Sequence, residues 1–338
     1  MPAAADITLQ RLHVFVPPAG GRRQARVKHP RAPVKPSFKQ IGKQQDISRA
    51  GPAGRTPCTI GTRIHFSQTP KELHMATIHH EPGSFCWFEC GTTDAAATTG
   101  FYKQLFGWRS EDIPMPGEME GTYTLLKIGD DDIAGLYQMA GPMFEGVPSH
   151  WMTYVAVEDV DATAERAKSL GGTITTPPMD VPGVGRIAFL QDPTDARIGI
   201  FKPGEHRGSA QLGMIPGTFG WSELATRDTK AAAAFYTELF NWRTKTDDNP
   251  DMAYTEFMVG DTPIGGMMEM TAQHGDAPPN WLPYVMVEDT DAIVGKVEEL
   301  GGKVIIPGTD IPKVGRFAVF TEPSGAVLAV IKLEGGHV

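Results

Sequence analysis

The chain spells out one domain twice, and that repetition limits what it can fold into. Residues 83–109, GSFCWFECGTTDAAATTGFYKQLFGWR, return as residues 217–243, GTFGWSELATRDTKAAAAFYTELFNWR, with thirteen identities at a constant offset of 134. Trp87/Trp221, Glu89/Glu223, Asp94/Asp228, Phe101/Phe235, Tyr102/Tyr236 and Trp108/Trp242 are among them. WMTYVAVEDVDA (151–162) pairs with WLPYVMVEDTDA (281–292), and VGRIAFLQDPTDA (184–196) with VGRFAVFTEPSGA (314–326), both at an offset of 130. The four residues lost lie between matched blocks, where loops absorb length changes cheaply. Two copies of roughly 120 residues are ordinary domains and too few for a solenoid. The expected domains are residues 80–205 and 214–334.

Within a copy the pattern reads strand, helix, then several strands, and it occurs twice. SFCWFECG is a short aromatic strand, Thr93 or Asp94 is a good N-cap, and the helix after it puts Phe101, Leu105 and Trp108 on one face. YTLLKIG and IAGLYQM follow as strands, split by an acidic turn at Asp130, Asp131 and Asp132. WMTYVAV is again a strand, Asp159 or Asp161 caps the helix DATAERAKSL, and Gly171 and Gly172 stop it. GTITTPP, GRIAFLQD and ARIGIFKP close the second set. The fold class is therefore α+β, each domain being two strand-helix-strand-strand-strand modules.

With 41% hydrophobic and 21% charged residues and no apolar run long enough to cross a bilayer, the composition is that of a soluble globular chain. Residues 1–74 hold a net charge of +10, which leaves −19 for the rest and argues against a nucleic-acid-binding face on the repeats. The first 74 residues are rich in Arg, Lys, Pro and Gly, lack a periodic pattern and are expected to be a disordered tail. No Met lies between Met1 and Met75, so a native start at Met75 accounts for the tail as upstream sequence, and targeting or polyanion contact is the alternative. Three cysteines give no disulfide framework, which favours a reducing, cytoplasmic compartment. Cys86 and Cys90, on a strand, span about 13 Å and are expected to pack rather than bridge a metal or each other.

The strand ending in Asp seven residues before FY, the LFGW or LFNW that follows, and then VEDVDA, LGG and DPTDA or EPSGA resemble the vicinal oxygen chelate (VOC) superfamily of glyoxalases, bleomycin-resistance proteins and extradiol dioxygenases. The tandem order is similar to that of two-domain glyoxalase-like proteins of the mycobacterial culture-filtrate-antigen type. The resemblance runs from about Gly83 to Lys332 and implies paired βαβββ modules forming a half-open barrel around one cavity per domain. It also implies a divalent metal, whose ligand positions map onto Trp87, Met152, Gly199 and a site near Gly135 in the first copy. In the second they map onto Trp221, Leu282, Ala329 and a site near Gly266. Since a cation needs several O, N or S donors converging at about 2 Å, no metal cofactor is expected.

Alternation along the first strand places Phe85, Trp87 and Glu89 on one side, and likewise Phe219, Trp221 and Glu223. A carboxylate beside an indole would be desolvated and so fit to act as a general base, which makes Glu89 and Glu223 the catalytic candidates; the plainer reading leaves them solvated at strand ends. Tyr154 and Tyr284 offer hydroxyls to a ligand, or else bond a backbone carbonyl. Arg186 and Arg316, in the repeated Val-Gly-Arg, could bind a carboxylate or phosphate. His150 has no counterpart in the second copy, and His79 and His80 point apart on an extended chain, so none is expected to hold a metal. Met-rich IGGMMEM (264–270) could line an adaptable pocket or simply fill the core. Three functions fit: metal-free binding of a small aromatic or dicarbonyl molecule in Trp-lined cavities; a glyoxalase-type lyase or isomerase using Glu89 or Glu223; and a scaffold with vestigial cavities. The expected partner is a small molecule, and the chain is a monomer with paired domains or a homodimer.

Overall fold

Four helices begin at an aspartate, and each aspartate closes the same ring. Asp94, Asp159, Asp228 and Asp289 each accept a hydrogen bond from the backbone N–H three residues on, at 2.9–3.0 Å, satisfying a donor that the first turn leaves unpaired. The first and third helices end where Gly107 and Asn241 take left-handed conformations, at φ 74° and 58°. These signals fix where strand gives way to helix in every module.

A computed structural model describes residues 80–115, 121–213, 215–247 and 253–335; the basic tail and the proposed start at Met75 lie outside them. The first domain runs β1 (Phe85–Thr92), α1 (Ala95–Phe106), β2 (Arg109–Pro114), β3 (Thr122–Ile128), β4 (Asp131–Gln138), β5 (His150–Ala156), α2 (Val160–Ser169), β6 (Thr173–Val181), β7 (Gly185–Gln191) and β8 (Arg197–Pro203). The second repeats it as β9 (Phe219–Thr226), α3 (Thr229–Phe240), β10 (Arg243–Asp247), β11 (Tyr254–Val259), β12 (Thr262–Glu269), β13 (Asn280–Met286), α4 (Thr290–Glu299), β14 (Lys303–Ile311), β15 (Gly315–Thr321) and β16 (Val327–Leu333). Each domain is one eight-stranded sheet, ordered β2-β3-β4-β1-β5-β8-β7-β6 and β10-β11-β12-β9-β13-β16-β15-β14. Antiparallel pairing of β1 with β5, and of β9 with β13, joins the two βαβββ modules of each sheet. The sheets are open rather than closed barrels, and the α+β class read from the sequence holds. Among the described residues no helix is long and apolar enough to cross a membrane.

One core serves both domains. Phe88, Trp108, Trp151 and Phe101 of the first join Phe219, Tyr236, Trp242 and Trp281 of the second in a single buried cluster. Phe88 stacks on Phe219 with ring centroids 4.1 Å apart, and Phe85 meets Trp281 edge-on at 5.4 Å. Trp108 donates its indole N–H to the Gly217 carbonyl at 2.8 Å, and Trp242 does the same to Gly83 at 2.7 Å. Buried Glu322 of the second domain accepts from the Thr98 hydroxyl of α1 at 3.0 Å.

This core corrects one expectation. Phe85 and Phe219 do not share a side with Trp87 and Trp221, because the register of β1 on β5 slips between Phe85 and Trp87, and that of β13 on β9 slips at the matching place. A bulge of this kind sets two residues against one and turns the earlier side chain over. Both phenylalanines consequently enter the shared core, and Trp87 and Trp221 stay on the other face.

Candidate functional site

The face of each sheet turned away from the shared core carries a small cluster of its own. In the first domain Trp87, Tyr154, Cys86, Ala156 and Phe201 are its buried members, with Tyr123, Met152 and Phe189 packed against them. Register explains the company. Glu89 lies opposite Met152 on β5 and Gly135 on β4, and Trp87 lies opposite Tyr154. One strand further out Tyr123 pairs with Tyr137, which itself pairs with Gly91 two residues beyond Glu89. All of these fall on one face by the period-two rule.

Two tyrosines converge on the carboxylate. The Tyr123 hydroxyl donates to Glu89 Oε1 and the Tyr154 hydroxyl to Glu89 Oε2, both at 2.7 Å, while the Trp87 indole N–H donates to the Tyr123 oxygen at 3.1 Å. The second domain repeats the network: Tyr254 and Tyr284 each donate to Glu223 at 3.0 Å, and Trp221 donates to Tyr254 at 3.0 Å. Burial pushes both carboxyls above the ordinary glutamate range, and the two phenols draw each part of the way back. Burial, and next the charge of the glutamate, lift the four phenols, so they are neutral donors. Glu89 and Glu223 nevertheless keep part of their residue surface exposed.

The positions that the family resemblance marks for metal ligands can now be tested against this geometry. Trp87 and Met152 hold two of them in the first domain, and the glycines hold the others because phenol rings lie across them. A Cβ at Gly135 would collide with the Tyr123 ring, one at Gly199 with the Tyr154 ring, and one at Gly266 with the Tyr254 ring. A divalent cation needs converging oxygen, nitrogen or thiolate donors, and these residues do not fit one. Among the described residues no three His, Cys, Asp or Glu side chains gather as a metal would require.

Other residues singled out by sequence fall elsewhere. Arg186 makes a two-pronged contact with Asp161 at 2.7 and 2.8 Å and reaches Asp180 at 2.9 Å; Arg316 holds Asp291 and Asp310 in the same way. Arg186 lines an open cavity of about 460 Å³ with Asp180, Val184, Lys202 and Glu205, none of which belongs to the Glu89 network. His150 bonds the Pro148 carbonyl at 2.9 Å, and burial holds its pKa below the usual range. Cys86 and Cys90 are buried free thiols, pushed up by burial.

Sequence reasoning missed Tyr123 and Tyr254, although both precede Thr on the third strand of their copy at a constant offset of 131. It also missed His206, whose ring stands edge-on to Trp87 at 4.4 Å and whose position in the linker between the domains has no periodic signal.

Tandem open sheets of paired βαβββ modules, each with an aromatic cluster around one glutamate on its outer face, define a class of duplicated α+β proteins. The chain belongs to the Glyoxalase/Bleomycin resistance protein/Dioxygenase superfamily, whose family model matches residues 85–200 and again 218–330. It is 36% identical over 257 residues to CFP32 of Mycobacterium bovis, which carries a provisional glyoxylase name, covering 75% of this chain and 96% of that one. It is 33% identical over 267 residues to the anthracycline biosynthesis protein DnrV of Streptomyces peucetius, covering 76% and 95%. The same fold occurs in the Mn(II)-bound glyoxalase from Novosphingobium aromaticivorans, with a TM-score of 0.51, 14% identity and 74% and 82% of the chains covered. It occurs again in the 2,3-dioxygenase LapB from Pseudomonas sp. KL28, with a TM-score of 0.53, 10% identity and coverage of 75% and 93%.

Proposed function

We propose that the chain is a metal-free VOC protein whose outer sheet faces bind a small aromatic or dicarbonyl-type molecule in the cytoplasm. The observation that carries this reading is the duplicated Trp-Tyr-Glu-Tyr network, built over the positions where metal ligands would stand. An indole, two phenols and a carboxyl offer a planar ligand stacking surfaces and a few directed polar contacts. The two curated relatives described above suit it, one being named for anthracycline biosynthesis and the other as a glyoxylase.

A second reading is favoured by the state of the glutamates. A carboxyl whose pKa is raised by burial and steadied by two phenols can take a proton from carbon next to a carbonyl, so Glu89 or Glu223 would be the general base of a lyase or isomerase. Both readings meet one experiment on untagged protein. Metal content is measured by plasma mass spectrometry before and after incubation with zinc, nickel, manganese and iron, and tryptophan fluorescence is followed during titration with 1-phenyl-1,2-propanedione. Saturable quenching without retained metal is the expected result. Near-stoichiometric metal surviving dialysis would overturn the metal-free reading, and a flat titration would remove the aromatic dicarbonyl class.

A further inference from the structure

The two outer faces share their network but differ in what lies against the tryptophan. In the first domain the linker leaving β8 turns back as a strap bonded near the ends where β1 and β4 begin. Ser209 N–H bonds the Cys86 carbonyl at 2.7 Å, its hydroxyl bonds the Ile133 carbonyl at 2.7 Å, and Ala210 N–H bonds the Asp132 carbonyl at 2.8 Å. Gly208, at φ 90°, allows this close approach, since a Cβ there would stand 2.5 Å from the Cys86 carbonyl oxygen. The strap delivers one ring to the site. His206 stands edge-on to Trp87 with ring centroids 4.4 Å apart and lies 6.5 Å from Phe201, and Trp87 is left 6% exposed. Gly208 N–H donates to His206 Nδ1 at 3.2 Å, which puts the proton of the neutral ring on Nε2, 3.8 Å from Asp132 Oδ2. Lys127 holds the other oxygen of Asp132 at 2.9 Å. A planar ring with one N–H turned toward a carboxylate thus occupies the place that a small aromatic ligand would take on the indole.

The second face is less filled. Trp221 is half-buried in a cluster with Leu282, Met286 and Leu333, and Phe317 of the same cluster lies 6.5 Å from Tyr284. Among the described residues no aromatic ring is held against Trp221 as His206 is against Trp87. At the offset of 130 that relates the two copies here, His206 corresponds to Gly336, which lies outside the described residues and has no ring to offer. The first face also gains a ring from the turn after β4, where Phe144 lies beside Tyr137 with centroids 6.0 Å apart; the matching position after β12 is His274.

We infer that His206 is an internal occupant of the first outer face, and that a planar aromatic ligand is taken up first at the second, against Trp221, Tyr284 and Phe317. This rests on the reading of the outer faces as small-molecule sites. A tethered group competes at an effective concentration of about millimolar or more, so a free ligand reaches Trp87 only by expelling His206. Because His206 is carried by the strap, expelling it loosens the Ser209 and Ala210 bonds as well. The apparent affinity of the first face is therefore the intrinsic one scaled down by the fraction of chains whose strap is open. One chain then presents two sites of common design, one free and one held closed by its own linker.

The test follows indole and backbone N–H resonances by ¹H–¹⁵N NMR on the full chain during titration with 1-phenyl-1,2-propanedione, the indoles being assigned with Trp87→Phe and Trp221→Phe. In the wild type the midpoint at Trp87 is expected at least about tenfold above that at Trp221, with the Ser209 amide moving together with Trp87. His206→Gly should bring the Trp87 midpoint to within about threefold of the Trp221 one, and added imidazole should raise it again while leaving Trp221 alone. Ser209→Ala, which keeps the ring but removes the hydroxyl bond to Ile133, should lower the Trp87 midpoint part of the way. Equal midpoints in the wild type, or a Trp87 response with a still Ser209 amide, would overturn the inference. So would an unchanged Trp87 midpoint in a His206→Gly protein that keeps the native response at Trp221. A titration that moves neither indole in the wild type or in His206→Gly would instead overturn the reading of the outer faces as sites for this class of ligand.

Discussion

Replacing Phe219 by alanine probes the shared core where the bulge in the first strand of the second copy delivers a side chain. Phe219 is 1% exposed, stacks on Phe88 at 4.1 Å with planes 10° apart, and lies 5.3 Å from Trp151 and 5.9 Å from Trp108, all three partners belonging to the other domain. Burying a phenylalanine stabilises by about 1.5–3 kcal/mol in transfer alone. Because Phe88 and the two indoles are themselves held by neighbours, the hole cannot fully close, and the total loss is expected at about 3–5 kcal/mol. Guanidinium unfolding followed by far-UV circular dichroism measures it. Phe88→Ala and the double variant complete a cycle, in which the stacked pair is worth about 0.5–1.5 kcal/mol beyond the separate losses. A loss below about 1 kcal/mol from Phe219→Ala, or strict additivity with Phe88→Ala, would show that the two rings do not meet and that the bulge is misassigned.

Other outcomes follow from the same contacts. Since Glu89 and Glu223 hold protons in the folded state that the unfolded chain releases, their contribution to stability is complete below the ordinary glutamate range and drains away as pH rises through the raised folded values. Thermal melts from acid to neutral pH should therefore show a smaller decline for the E89Q/E223Q double variant than for the wild type. Tyr123→Phe and Tyr154→Phe, each removing a hydrogen bond that draws the Glu89 carboxyl down, should move its ¹³C titration to still higher pH. Gly135→Ala forces the Tyr123 ring aside and should cost about 1–3 kcal/mol, with quenching by 1-phenyl-1,2-propanedione weakened alongside. Asp228→Ala removes a helix cap and should cost about 1 kcal/mol in the same denaturant assay, and no change there would mean the cap is idle.

What the sequence disclosed was local. Asp94 and Asp159 cap their helices because an aspartate next to an apolar periodic run has few better uses, and both are visible without a fold. The exposed edge strands β2 and β10 were illegible: RSEDIP and RTKTD bury almost nothing, so they carry no alternation to read. Alternation alone also misplaced Phe85 and Phe219, because a bulge depends on which strand lies alongside and leaves no mark in the strand's own residues. Glu89, Glu223, Tyr154 and Tyr284 were legible as shared positions of one face. That the phenols bond the carboxyls required the register of four strands, and Tyr123 and Tyr254 stood outside the strongest repeats even though their Tyr-Thr pair recurs. Arg186 and Arg316 show the limit of reading a conspicuous motif, since each is held by an aspartate 25 residues away on a helix, Asp161 or Asp291, and by a second, Asp180 or Asp310, on the neighbouring strand.

The reciprocal bonds from Trp108 to Gly217 and from Trp242 to Gly83 give the two domains the mutual grip of a symmetric dimer, yet both halves lie on one chain. In a dimer of identical subunits every substitution is made twice, and neither site can change without the other. Joined end to end, the copies are released from that constraint. The short turns after β4 and β12 have parted company, one holding Phe144 beside Tyr137 and the other carrying His274 at the matching position, while the paired tryptophans hold the assembly in register.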